Sequence, residues 1–212
     1  MFLGAVLEME LLAASDFCDL AELSSQFCSI GFGNFAHGQI GYFSSYPDDF
    51  QKMYFENNWL SLDPVVQKCA PRAMTFEWDG HDPRANPVMS TARDFGLHNG
   101  ISFSSQIAGS GLIVSYAGPS KLSETAGAEA VRLLRRSHLH RLTLNAMRLS
   151  QEQCELVALF ANGMRASHVA HYYEVSEDAI KLRKRRIEAI LGVNNFLAAV
   201  HVCAVAGVTV DF

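Results

Sequence analysis

Apolar positions along this chain recur with two periods, and the switches between them predict its elements. Phe17, Leu20, Leu23, Phe27 and Ile30 fall on one side of a helical repeat, so 15–31 is expected to form an amphipathic helix, opened by Ser15 and closed by Gly31. Residues 34–45 read as one or two short strands, Tyr46-Pro47 as a turn, and 48–58 as a helix leading into a second one near 64–69. A short strand is predicted at 75–78, a Pro- and Gly-punctuated loop at 79–87 and a helix at 88–95. Alternation returns over 100–107 and 111–117, two strands joined by the turn AGSG. Ser123 then caps a long helix to about Met147, rich in Leu and Arg, which serves either as a dimer helix or as a cover for the sheet.

From 149 onward the pattern is helical throughout. Ser150 with Gln153 three residues on is a capping box, and Asn162-Gly163 closes the helix it opens. A second helix runs from near Ser167 to Tyr173. Ser176 caps a third, with Glu177 and Asp178 in its first turn, where acidic groups suit the positive end of the dipole, and Gly192 ends it. At 100° per residue Ile180, Ile187 and Leu191 share one sector, which must face the other helices. The outward face carries Asp178, Lys181, Leu182, Arg185, Arg186 and Ala189, with Arg183 and Lys184 on its flanks. Such a face suits a major groove, where Arg or Lys pairs with guanine and flanking cations neutralise phosphates; the competing reading is a solvated basic face on a core helix. Three capped helices of helix-turn-helix length favour double-stranded DNA.

Leu149, Gly163, Val175-Ser176, Ile180, Leu191-Gly192-Val193 and Ala199 give 149–207 a resemblance to the C-terminal DNA-binding domain of LuxR-type regulators. Lys181 and Arg185 match that family's base-contacting positions, and 195–206 resembles the helix through which members often pair. Gln153 and Val157 stand where members usually have Glu and Leu. Upstream, YFENNWLSLDPVVQKC at 54–69, Trp78 and DFGLHNGISF at 94–103 resemble the signal-binding domain of the same family, in the manner of its TraR-like branch. The resemblance implies an N-acyl-homoserine lactone, or a related small signal, held between a sheet and helices, with Tyr46, Tyr54, Asp63, Pro64, Trp78 and Gly100 at matching positions. It also implies that Phe50 replaces a Trp whose indole N–H holds the lactone carbonyl.

The chemistry of these residues is consistent with that expectation. An acyl amide buried in a dry pocket needs an acceptor for its N–H and a donor for its carbonyl, because an orphaned buried polar group costs about 1 to 3 kcal/mol. Asp63 can accept, Tyr46 can donate, Ser115 can add a second donor, and Tyr54, Trp78 and Phe103 can wall the acyl chain. Alternatively, Asp63 before Pro64 is only a helix N-cap and the aromatics only a core.

Composition changes the picture in one respect. The net charge of -5 in 212 residues argues against nucleic acid only if charge is spread evenly. Residues 1–123 hold 13 acidic and 6 basic groups, whereas 149–212 hold 7 and 6, with five of those six cations inside 181–186. Five scattered cysteines without a CxxC read as reduced core thiols of a cytoplasmic protein. His138 with His140, and His168 with His171, have no further ligand to complete a metal set. The N-terminal segment carries Glu8 and Glu10 and no basic region, which argues against a signal peptide, and no apolar run is long enough for a membrane helix.

Together these features predict an α+β chain: an α/β/α sandwich around an antiparallel sheet at 1–147, for signal binding and dimerisation, then an all-α helix-turn-helix domain at 148–212. The function expected is a DNA-binding, signal-responsive transcription factor without a cofactor, acting as a homodimer. The alternative is an anti-activator or ligand-independent member that forms a heterodimer with another LuxR-type regulator. No nucleophile with a base, metal set or phosphate loop points to an enzyme.

Overall fold

The computed structural model describes residues 8–12, 17–24, 26–36, 38–79, 86–118 and 122–208. The chain divides into two compact units, 1–106 with 111–138, and 107–110 with 139–212.

The first unit is built on a six-stranded sheet: β1 (Glu8–Leu11), β2 (Phe27–Asn34), β3 (Gln39–Ser44), β4 (Thr75–Asp79), β5 (Asn99–Ile107) and β6 (Ser110–Gly118), in the order β1-β3-β2-β6-β5-β4. One departure from the antiparallel expectation is that β1 lies parallel to β3. The hairpin β5–β6 turns through Ala108 (φ 52°) and Gly109 (φ 80°), two left-handed residues in succession, as a two-residue hairpin turn requires.

The helix expected over 15–31 is not formed. Its start, Ser15, lies outside the described residues; α1 spans only Cys18–Ala21, and 27–34 is strand β2 at the centre of the sheet. The apolar residues of 17–30 fit a helical repeat, but Cys28, Ile30 and Phe32 also alternate with Ser29, Gly31 and Gly33. Two glycines weaken a helix, whereas burial against β6 and β3 rewards the strand. The predicted loop from 79 onward lies largely outside the described residues.

Strand alternation gives the sheet two buried faces. On one, Phe32, Phe103, Leu112 and Tyr116 pack under the long helix α5 (Glu124–Ala146), which Ser123 caps through the Ala126 amide. Leu20 of α1 joins this layer, and its carbonyl accepts from the Tyr116 hydroxyl at 2.7 Å. On the other face lie α2 (Asp48–Glu56), a single 3-10 turn at Trp59–Ser61, α3 (Pro64–Cys69) and α4 (Pro87–Asp94). Asp63 and Asn86 cap α3 and α4, each directly before a proline at the first helical position, where its missing N–H is no loss.

The second unit is helical beyond the hairpin tip: α6 (Gln151–Ala161), α7 (Ala166–Tyr172), α8 (Glu177–Leu191) and α9 (Phe196–Val205) follow the end of α5. The Ser150–Gln153 capping box is complete, Ser176 caps α8 through the Ala179 amide, and Gly192 closes it at φ 68°. Ile180, Ile187 and Leu191 are the buried residues of α8, in the sector the periodicity assigned to them. Among the described residues no single helix is long and apolar enough to cross a membrane.

Candidate ligand pocket and nucleic-acid interface

Between the sheet and helices α2–α4 lies a cavity of about 120 Å³. One buried water occupies roughly 10–15 Å³ on the same measure, so the space is that of a small molecule. Its walls are mostly aromatic and aliphatic. Phe50 is buried on α2 between the rings of Tyr46, Tyr54 and Phe95, with centroids 5.9 to 6.1 Å away. Trp78 projects from β4 opposite Gly100 of β5, where a side chain would collide with the indole and with the Tyr116 carbonyl.

Three of the polar lining groups, Asp63, Tyr54 and Tyr46, are electrostatically coupled. Asp63 Oδ1 accepts from the Val65 amide at 2.7 Å, and Oδ2 accepts from the Tyr54 hydroxyl at 2.9 Å. Burial raises the carboxyl pKa, while the Tyr54 hydroxyl and the Val65 and Val66 amides pull it back. Tyr46 is also raised well above the ordinary phenol value, by burial first and then by Cys28 and Asp63. Among the described residues its hydroxyl has no hydrogen-bond partner.

Six of the seven expected pocket residues, Tyr46, Phe50, Tyr54, Asp63, Trp78 and Ser115, line this cavity. Phe103 does not: alternation along β5 turns it to the α5 face, against Tyr116 and Gly127. Tyr54 is engaged by its hydroxyl as well as its ring, and Asp63 is both a helix cap and a pocket group. Sequence reasoning missed Ser29 and Ser44 in the lining, and Ser102 behind it. The register aligns Ser44 with Ser29 and Ser29 with Ser115, and Ser115 Oγ lies 2.8 Å from Ser102 Oγ, so four serines form a row across four strands.

In the second unit the cationic run divides in two. Lys181, Leu182, Arg185 and Arg186 are exposed, with Lys181 held 2.8 Å from Asp178 one turn earlier. Arg183 and Lys184 turn inward. Arg183 binds Glu152 of α6 at 2.6 Å and lies over the Tyr173 ring at 5.0 Å, while Tyr172 and Tyr173 both donate to Glu155. Lys184 Nζ sits 4.6 Å from the centroids of both Phe160 and Phe196. These two cations tie α8 to α6, α7 and α9. Among the described residues no group of three or more His, Cys, Asp or Glu is placed to hold a metal, and His138 is buried against Ser105.

A sandwich with a mainly apolar cavity is joined to a unit of four helices, of which α8 carries a cationic outer face. Residues 20–142 match the family described as an autoinducer binding domain, so the chain belongs to the LuxR-type quorum-sensing regulators. It is 35% identical over 68 residues to the transcriptional activator protein AhyR of Aeromonas hydrophila, a match covering 29% of this chain and 26% of that one. Over 170 residues it is 26% identical to the HTH-type quorum sensing-dependent transcriptional regulator RpaR of Rhodopseudomonas palustris, covering 74% and 70%. The chain thus matches only about a quarter of the length of AhyR. The crystal structure of Escherichia coli SdiA has the same fold, with a TM-score of 0.54 at 18% identity over 92% of this chain and 89% of that one.

Proposed function

We propose that the chain is a cytoplasmic, DNA-binding transcriptional regulator that responds to an N-acyl-homoserine lactone or a related small amphiphile. The observation that carries this reading is the cavity: a mainly apolar chamber with one half-buried carboxylate, Asp63, and a hydroxyl with no hydrogen-bond partner among the described residues, Tyr46. An amide N–H finds its acceptor in the first and a carbonyl its donor in the second, as desolvation demands. The domain organisation follows the same logic, with signal binding at 1–147 and DNA binding at 148–212. Lys181, Leu182, Arg185 and Arg186 face the major groove, whereas Arg183 and Lys184 fix the helix that carries them. Homodimerisation is supported by apolar side chains left exposed on α9, Leu197 (79%) and Val205 (58%), and on α5, Val131 (50%).

The experiment is co-expression with and without a panel of acyl-homoserine lactones, then mass spectrometry of what co-purifies and a DNA selection with the purified protein. A bound lactone and a two-fold-symmetric selected site are expected. Binding to DNA that depends on salt but not on sequence, with every ligand, defeats the regulator reading.

One observation favours a second reading. Phe50 offers no donor where the family resemblance implies an indole N–H, which fits a ligand-independent member or an anti-activator that pairs with another regulator. A stable heterodimer with a second LuxR-type protein, formed without any lactone, would select it.

A further inference from the structure

The row of serines under the cavity ends at Trp78, and that end fixes a direction. An indole N–H can only donate, so Ser102 Oγ accepts from Trp78 Nε1, at 3.2 Å. Ser102 has no exposed surface, and its other hydrogen-bonding neighbour is Ser115 Oγ at 2.8 Å. Were Ser115 to donate to Ser102, the Ser102 proton would be orphaned in the interior, a costly arrangement. Ser102 therefore donates to Ser115. The Ser115 proton is left over, and Ser115 lines the cavity while Ser102 does not. Gly100 completes the device, because only a residue without a side chain lets the indole lie across β5 toward Ser102.

We propose that Trp78 and Ser102 set the hydrogen-bond polarity of the cavity floor, so that Ser115 meets a ligand as a donor and selects for a carbonyl oxygen at that point. Ser102 is a positioning residue: it acts through Ser115 without touching the ligand. The relay also commits the Trp78 indole N–H inside the protein, so with Phe50 on α2 neither side chain offers the ligand an indole donor. The proposal rests on the reading of this cavity as the signal site, and its test separates the two.

The probes are N-octanoyl-homoserine lactone and its thioamide counterpart, which keeps the N–H but replaces the carbonyl oxygen with the weaker acceptor sulfur. Titration calorimetry should find the wild type favouring the oxygen ligand by roughly two- to tenfold, the range of one neutral hydrogen bond. Ser115→Ala should lower that ratio to whatever the Tyr46 hydroxyl alone maintains, and Ser102→Ala should narrow it by less. Ser102→Thr, which keeps the hydroxyl, should restore it, and adding Ser102→Ala to Ser115→Ala should change nothing further. A ratio unaffected by Ser102→Ala, or equal weakening of both ligands, overturns the proposal, since a purely structural role would do the latter.

The second measurement needs no ligand. The chain has two tryptophans, so the Trp78 indole N–H proton resonance is assigned by its loss in Trp78→Phe. It should move in Ser102→Ala and, through the relay, in Ser115→Ala. If the wild type binds neither lactone, the signal-site reading fails while the relay is still decided by this resonance: a shift in Ser115→Ala supports it, and an unmoved signal overturns it.

Discussion

Mild acid should destabilise the first unit through one side chain. His138 lies on α5 with no exposed surface, its Nδ1 3.0 Å from Ser105 Oγ and its ring edge-on to Phe32 at 5.8 Å. Burial holds its pKa down at about 4, against an ordinary 6.5. Between those values the unfolded chain binds a proton that the folded chain refuses. The stability gained by keeping His138 neutral is thus complete above pH 6.5 and is lost as the pH falls toward 4. The whole interval corresponds to about 3 kcal/mol, of which about 2 kcal/mol is gone by pH 5. Asp63 works in the opposite sense, because its raised pKa favours the folded state at low pH and that contribution is lost as the pH rises. The comparison must therefore be made against His138→Gln, which keeps polar atoms but does not titrate. Urea unfolding followed by tryptophan fluorescence reports on this unit, since Trp59 and Trp78 are both in it. Between pH 7.5 and 5 the wild type should lose about 2 kcal/mol more than the variant. Parallel stability profiles for the two proteins would refute the reasoning.

Lys181→Ala or Arg185→Ala should weaken binding to the selected DNA site by about 1 to 3 kcal/mol and relax its sequence, measured by anisotropy titration over several salt concentrations. Lys184→Ala should act mainly on folding, lowering the C-terminal unit's stability by about 0.5–1 kcal/mol per lost ring contact in thermal unfolding, with a smaller change in the DNA salt slope than Arg186→Ala. Phe50→Trp should tighten lactone binding by roughly two- to tenfold in calorimetry, and an unchanged affinity would show that the lactone carbonyl does not lie at that position. Asp63→Asn should weaken the same ligands, because the charge-assisted bond to the amide N–H is lost.

The helix-turn-helix was legible almost residue by residue because its signals are local. Capping groups at Ser150 and Ser176, the stop at Gly192 and the spacing of Ile180, Ile187 and Leu191 all act within a few turns. The fate of Arg183 and Lys184 was not legible: both sit on the flanks of α8, and only the positions of Glu152, Tyr173, Phe160 and Phe196 draw them inward. Strand β2 was misread for a related reason, since its burial comes from β6, more than eighty residues later. The serine pair was within reach. Once AGSG is taken as a two-residue turn closed by Ile107 and Ser110, counting back along both strands sets Ser102 opposite Ser115 and turns Phe103 to the far face.

Asp63 shows why cap and ligand group need not be rival readings. An ionised carboxylate has about four lone-pair positions; the Val65 amide and the Tyr54 hydroxyl occupy two of them, and the Val66 amide also favours the charge. What remains faces a cavity where burial already disfavours the charge, so a ligand N–H arriving there stabilises a carboxylate the fold holds at some cost. Because Asp63 starts α3 and Tyr54 sits on α2, the same bond draws on both helical walls. Substitutions therefore separate the roles. Asp63→Ala removes the cap, costing about 1 kcal/mol of stability, together with the ligand acceptor. Asp63→Asn keeps an oxygen for the Val65 amide and turns its NH2 toward the Tyr54 oxygen, which can accept. It leaves the helix start intact and presents the ligand with no anionic acceptor, so its effect should appear in the lactone titration and hardly at all in the unfolding curve.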